Sequence, residues 1–114
     1  MSDTQQRIDQ LVKGSDVVLF MKGTPLFPQC GFSAKAAQAV MGCGEKFAYV
    51  DILQNPEIRA NLPKYANWPT FPQLWVAGEL VGGSDIMTEM AADGSLQATI
   101  KAAVEKAAAN KTEA

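Results

Sequence analysis

Histidine is absent from this chain of 114 residues. Its absence removes imidazole general bases, Cys-His nucleophile pairs and every metal site built on histidine. Cysteine is scarce, with Cys30 and Cys43 the only two. Two thiols are too few for a disulfide scaffold at this length, which fits a reducing compartment and sulfurs kept free for chemistry. A basic run is also missing, and ten basic residues against twelve acidic ones leave a formal charge of -2. A phosphate backbone would find no electrostatic footprint here, so nucleic acid is not an expected partner. No stretch approaches the roughly 20 apolar residues that span a bilayer, and Met1 to Lys13 is polar without an apolar signal core. A soluble, cytoplasmic chain with no membrane partner is expected.

Apolar side chains are plentiful, at 47% of residues, enough for one core and one domain over residues 1–114. Ile8, Leu11 and Val12 recur at helical spacing before Gly14. Val17-Val18-Leu19-Phe20-Met21 is an unbroken apolar run of strand formers, as expected of a strand covered on both faces. A loop follows, and Cys30 then opens an Ala-rich helix to about Met41. Phe47 to Ile52 reads as a second strand; Asn55 as N-cap and Pro56 at the first turn begin a helix carrying Ile58 and Leu62. Phe71 to Val76 and Leu80 to Val81 read as a hairpin. Ser84 is expected to cap a short helix and Ser95 a last one, with a frayed tail after Lys106, so that the core spans about residues 5–106.

This order makes the first half a parallel βαβ unit and the hairpin antiparallel. The result is a four-stranded mixed sheet flanked by helices, an α/β architecture of the thioredoxin fold. A cysteine between first strand and helix is where that fold places a reactive sulfur.

In Cys30-Gly31-Phe32-Ser33, a serine occupies the position at which a second cysteine could close a disulfide. Cys30 must therefore find its second sulfur, or its metal, outside the motif. At a helix start, amide N-H groups and the macrodipole favour the thiolate and can bring the pKa well below about 8.5. Lys22 could add a second positive field. Cys43 lies a helix length away, about 20 Å at 1.5 Å of rise per residue, whereas a disulfide needs Cα atoms within about 7 Å. It reads as a packing residue; the alternative is slow resolution of an oxidised Cys30 after the helix end unwinds at Gly42 and Gly44.

Four strings occur in order: Met21-Lys22-Gly23-Thr24-Pro25, Cys30-Gly31-Phe32-Ser33, Asn67-Trp68-Pro69-Thr70-Phe71-Pro72-Gln73 and Gly82-Gly83-Ser84-Asp85. Together they resemble a single-domain monothiol glutaredoxin of the CGFS type, over about residues 5 to 105. The resemblance implies a glutathione site in which Lys22 and Arg59 receive the glycyl carboxylate. It places the cysteinyl unit on the backbone at Phe71, before a cis Pro72, and the γ-glutamyl end on the Ser84 amide and the Asp85 carboxylate. A helix N-terminus suits a carboxylate, and Gly82-Gly83 would permit close backbone approach. Taken singly, Lys22 and Arg59 would be solvated surface charges, Asp85 a first-turn acid and Pro72 a turn proline. Trp68 could be either a core side chain or a docking residue. Many members carry a cysteine where this chain has Ser84; the backbone amide survives that change, and ligand binding with it.

A [2Fe-2S] cluster takes four ligands, normally thiolates, and this chain offers one well-placed sulfur. The resemblance implies a homodimer in which two Cys30 thiolates and two glutathione thiolates hold a bridging cluster, handed to recipient apoproteins in iron-sulfur biogenesis and iron homeostasis. The alternative is a glutathione-dependent thiol-disulfide oxidoreductase using Cys30 alone, weak in such proteins. A BolA-type protein as partner is a third implication.

Overall fold

The computed structural model describes residues 2–113. Its elements run α1 (Asp3–Lys13), β1 (Val17–Met21), α2 (Gly31–Met41), β2 (Ala48–Asp51), α3 (Pro56–Ala66), β3 (Gln73–Val76), β4 (Glu79–Gly82), α4 (Ser84–Asp93) and α5 (Ser95–Glu113). The sheet order is β2-β1-β3-β4. β1 is parallel to β2, with Leu19 opposite Tyr49, and antiparallel to β3, with Leu19 opposite Leu74. The expected mixed sheet and its topology are borne out.

All five residues of β1 are buried, because successive side chains enter opposite layers. Val17, Leu19 and Met21 join Leu74 and Val76 beneath α2, α4 and α5, packing on Ala37, Met87 and Ile100. Val18 and Phe20 join Trp75 on the other face, with Ile8 and Val12 of α1 and Ile58 and Leu62 of α3. Full burial of a side chain such as Phe20 or Leu19 contributes about 1.5–3 kcal/mol. The central strand is thereby fixed in register, since a slip of one residue would exchange the two layers.

Several ends differ from expectation. Asn55 is the N-cap of α3 as expected, but its side chain does not bond the first turn. Its amide instead donates to the Asp51 carbonyl, and its oxygen accepts from Arg7. Gly83, not Ser84, caps α4. Ser95 is the first residue of α5 rather than its cap, and its N-H donates to Asp93 at 2.8 Å. β3 begins at Gln73 rather than Phe71, as Pro72 has no N-H to give a ladder. Helix α5 continues to Glu113 where a frayed tail was expected. The hairpin turns on Ala77 and Gly78, both at positive φ, the pair a two-residue turn of this hand requires.

Candidate functional site

Two loops at one end of the sheet build the site, each leaving the carboxyl end of one element and entering a helix or strand. The first runs from Met21 to α2. Its base is closed by the Gln29 N-H to Lys22 carbonyl bond at 3.0 Å and by Gly23 N-H donating to the Asp51 carboxylate at 2.9 Å. Asp51 also takes the Leu53 N-H, so one carboxylate at the end of β2 ties both neighbouring turns. The loop is drawn tight and presents Leu26 and Phe27 to solvent. Sequence reasoning missed Asp51; an aspartate at a strand end, two residues before a turn amide, was the available signal.

Cys30 is the N-cap of α2, half-buried, with extended backbone. The Ser33 N-H and then the Phe32 N-H point at its sulfur and hold the thiol below its ordinary range, although neither closes a full capping bond. Partial burial opposes them, while the Lys22 charge and the Ser33 hydroxyl assist. Ser33 itself is fully buried, and its Oγ accepts the Lys22 backbone N-H at 3.0 Å. Cys43 presents the contrary case. It is buried in the core, donates its S-H to the Ala39 carbonyl, and has its pKa raised by burial. Both cysteines are free.

The second loop, residues 67–72, leaves α3 through Asn67 in the left-handed region, and the Trp68 N-H returns to the Pro63 carbonyl. Buried Gln73 then holds the loop against β3. Its side-chain amide donates to the Trp68 and Thr70 carbonyls at 3.1 and 3.2 Å, and its oxygen accepts from Trp75 Nε1. The expected cis bond between Phe71 and Pro72 is present. Gln73 was part of the recognised string, yet its role as the clamp of this loop was not foreseen.

Between this loop and the start of α4 lies an open groove of about 370 Å³, bordered by Phe32, Trp68, Phe71, Pro72, Ser84 and Asp85 among others. Four of the predicted site residues, Phe71, Pro72, Ser84 and Asp85, thus share one cleft. Cys30, Lys22 and Arg59 do not line it. Cys30 adjoins it through Phe32 of its own motif, Lys22 is half-buried at the mouth of the first loop, and Arg59 is exposed on α3. Neither cation makes an ion pair among the described residues. Gly82 has φ 148°, and an added Cβ would fall 2.6 Å from the Ile86 side chain of α4, while one at Gly83 would lie 3.4 Å from the Pro72 carbonyl. Met87 is core, as expected.

Donors for a metal are sparse. Among the described residues no three His, Cys, Asp or Glu side chains gather into a metal-holding group, so a multi-sulfur centre would need sulfurs from other molecules. Among the same residues no helix is long and apolar enough to cross a membrane.

A family model described as glutaredoxin matches residues 17–81. The chain is 61% identical over 113 residues to glutaredoxin 4 of Escherichia coli K12, covering 99% of this chain and 96% of that protein. Its fold is similar to the solution structure of reduced apo GrxS14 from poplar, with 44% identity, a TM-score of 0.74, and coverage of 88% of this chain and 92% of that one. It is also similar to a monomeric truncated mutant of 1-C-Grx1 from Trypanosoma brucei, 34% identical with a TM-score of 0.76, covering 89% and 92%. With a lone cysteine opening α2 and Ser33 in the partner position, the chain belongs to the glutaredoxin family, in its monothiol form.

Proposed function

We propose that the protein binds glutathione in the groove beside Cys30 and, as a pair of chains, carries a [2Fe-2S] cluster to recipient apoproteins. The observation that supports this most is Cys30 itself: an accessible sulfur with a lowered pKa, next to a cleft and without a second thiol at hand. Thiolates, not thiols, ligate iron. Two Cys30 sulfurs and two glutathione sulfurs would supply the four ligands such a cluster takes. Cys43 is unsuited to that set, being buried, hydrogen-bonded and shifted towards the neutral thiol.

In this reading each glutathione lies with its γ-glutamyl end at the start of α4, on the Ser84 amide and Asp85, and its cysteinyl unit along Phe71 and Pro72. Lys22 and Arg59, without an ion pair among the described residues, would take the glycyl carboxylate. Ligands that exchange without unfolding the protein suit a cargo that is handed on. Recipient apoproteins and a BolA-type protein are the proposed macromolecular partners, in the cytoplasm.

The lowered thiol pKa favours a second reading. The Cys30 thiolate attacks the glutathione sulfur of a protein-glutathione mixed disulfide and releases the protein thiolate; a second glutathione thiolate then attacks the bound one, leaving as glutathione disulfide and regenerating Cys30. Anaerobic reconstitution with ferrous iron and sulfide, with and without glutathione, tests the carrier. A glutathione-dependent [2Fe-2S] absorption spectrum at dimer size, lost in Cys30→Ser, is expected. A colourless monomer in both conditions would move the assignment to thiol-disulfide exchange.

A further inference from the structure

Two polar atoms in the described structure are buried without a hydrogen-bond partner, Trp68 Nε1 and Ser84 Oγ. Both belong to residues that border the same groove. An unsatisfied buried donor is costly, and each one calls for an explanation. Neither is explained by the fold. The other tryptophan, Trp75, spends its indole N-H on Gln73, and the Trp68 backbone is already held at Pro63 and Gln73. The Trp68 indole nitrogen instead faces Gly83, where an added Cβ would lie 3.6 Å from it. Gly83 is the N-cap of α4 and offers that helix no side-chain cap. Ser84 is 8% exposed. The orphaned indole N-H, the orphaned hydroxyl and the uncapped end of α4 therefore converge on one corner of the cleft.

We propose that Trp68 is a specificity-determining residue of this groove, its indole N-H donating, together with the Ser84 hydroxyl, to a carboxylate of the bound ligand. The inference rests on the glutathione reading above and assigns the γ-glutamyl α-carboxylate as the group received. All the donors at this corner are neutral, so they favour an anion through hydrogen bonds and the helix end rather than through a cation. Both atoms are buried without a partner in the described structure. A rotation of the Ser84 side chain and a tilt of the indole, carried on a loop rather than on a helix, bring them to the ligand. Selectivity then follows from the penalty of leaving them unpaired: a ligand lacking that carboxylate relieves neither donor.

The test uses the full chain and two ligands, S-methylglutathione and its analogue in which 4-aminobutyrate replaces the γ-glutamyl residue, lacking both the α-carboxylate and the α-amine. Trp68→Phe removes the N-H and keeps a ring; it is expected to weaken S-methylglutathione about tenfold and leave the analogue's affinity unchanged. In the unsubstituted chain, the Trp68 indole N-H resonance is expected to move downfield on adding S-methylglutathione, and that of Trp75 to stay. Equal affinity of Trp68→Phe and the parent for S-methylglutathione, with an unmoved Trp68 resonance, overturns the role of Trp68 while the glutathione site stands. Absence of binding to the unsubstituted chain overturns the glutathione reading and this inference with it.

Discussion

The backbone N-H of Lys22 donates to the hydroxyl oxygen of Ser33 at 3.0 Å, joining the exit of the central strand to the first turn of the helix that carries Cys30. The position that denies this protein a second cysteine is thus occupied by a structural acceptor. Substituting Ser33→Ala leaves a half-buried N-H unpaired and is expected to cost about 1–2 kcal/mol of stability. The thiol pKa of Cys30 is expected to rise only slightly, because the backbone N-H groups of Ser33 and Phe32 dominate its shift and the hydroxyl is the smallest contributor. Urea unfolding and the pH dependence of iodoacetamide alkylation check the two halves; an unchanged midpoint in urea, or a thiol returned to its ordinary range, would contradict this account.

The two thiols are expected to respond to pH in opposite senses. Cys30 has a depressed pKa in the folded chain, so its contribution to stability is present above the unfolded thiol value and is lost as pH falls through the folded value. Cys43 has a raised pKa, so its contribution is present below the unfolded value and is lost as pH rises through the folded one. The unfolding free energy of the parent relative to Cys30→Ser should therefore grow from neutral pH towards about 9, and that relative to Cys43→Ser should hold over that range and shrink only above it. At neutral pH, mass mapping after brief alkylation should find the label on Cys30 alone. Label on Cys43 at a comparable rate would mean that the end of α2 opens readily.

Gln73 offers a sharper separation of scaffold from chemistry. It is fully buried and makes three side-chain hydrogen bonds, two into the loop that carries Trp68 and Thr70 and one to Trp75. Gln73→Leu keeps the volume but strands the Trp75 N-H and two loop carbonyls, a loss of about 2–4 kcal/mol. Glutathione affinity is expected to fall with stability, while the Cys30 alkylation profile stays as in the parent, since Gln73 does not act on that thiol. Calorimetric binding beside the alkylation profile distinguishes this from a general loss of fold.

Much of this was legible from residue patterns, because apolar periodicity and turn chemistry act locally. The unalternating Val17–Met21 run led to a doubly covered strand, and four short strings led to the two loops and the cleft between them. Asn55 is the N-cap of α3 as expected, but Arg7 claims its side-chain oxygen across 48 positions; the cap expected at Ser84 falls instead on Gly83. The clamp at Gln73 and the tie at Asp51 were invisible for a related reason. A buried amide or carboxylate gains its meaning from carbonyls and amides that only the folded chain brings together, and a single sequence carries no periodic signal for that.

Gly23 bears the tightest steric demand of the first loop. Its φ is 89°, a region that L side chains avoid, and a Cβ there would lie 2.6 Å from the Phe27 carbonyl oxygen and 2.8 Å from the Gln29 nitrogen. Both obstacles are backbone, so neither can swing aside. Gly23→Ala must therefore rearrange the segment from Lys22 to Gln29, breaking the Gln29 to Lys22 closure and the Gly23 bond to Asp51. A loss of about 2–4 kcal/mol is expected, the sum of a strained φ and two backbone hydrogen bonds. The functional effect should exceed that of Gln73→Leu at the sulfur: with Lys22 displaced, the Cys30 pKa rises and the alkylation profile moves to higher pH. A variant that kept both the stability and the alkylation profile of the parent would show that this loop neither needs its present shape nor positions Lys22 for Cys30.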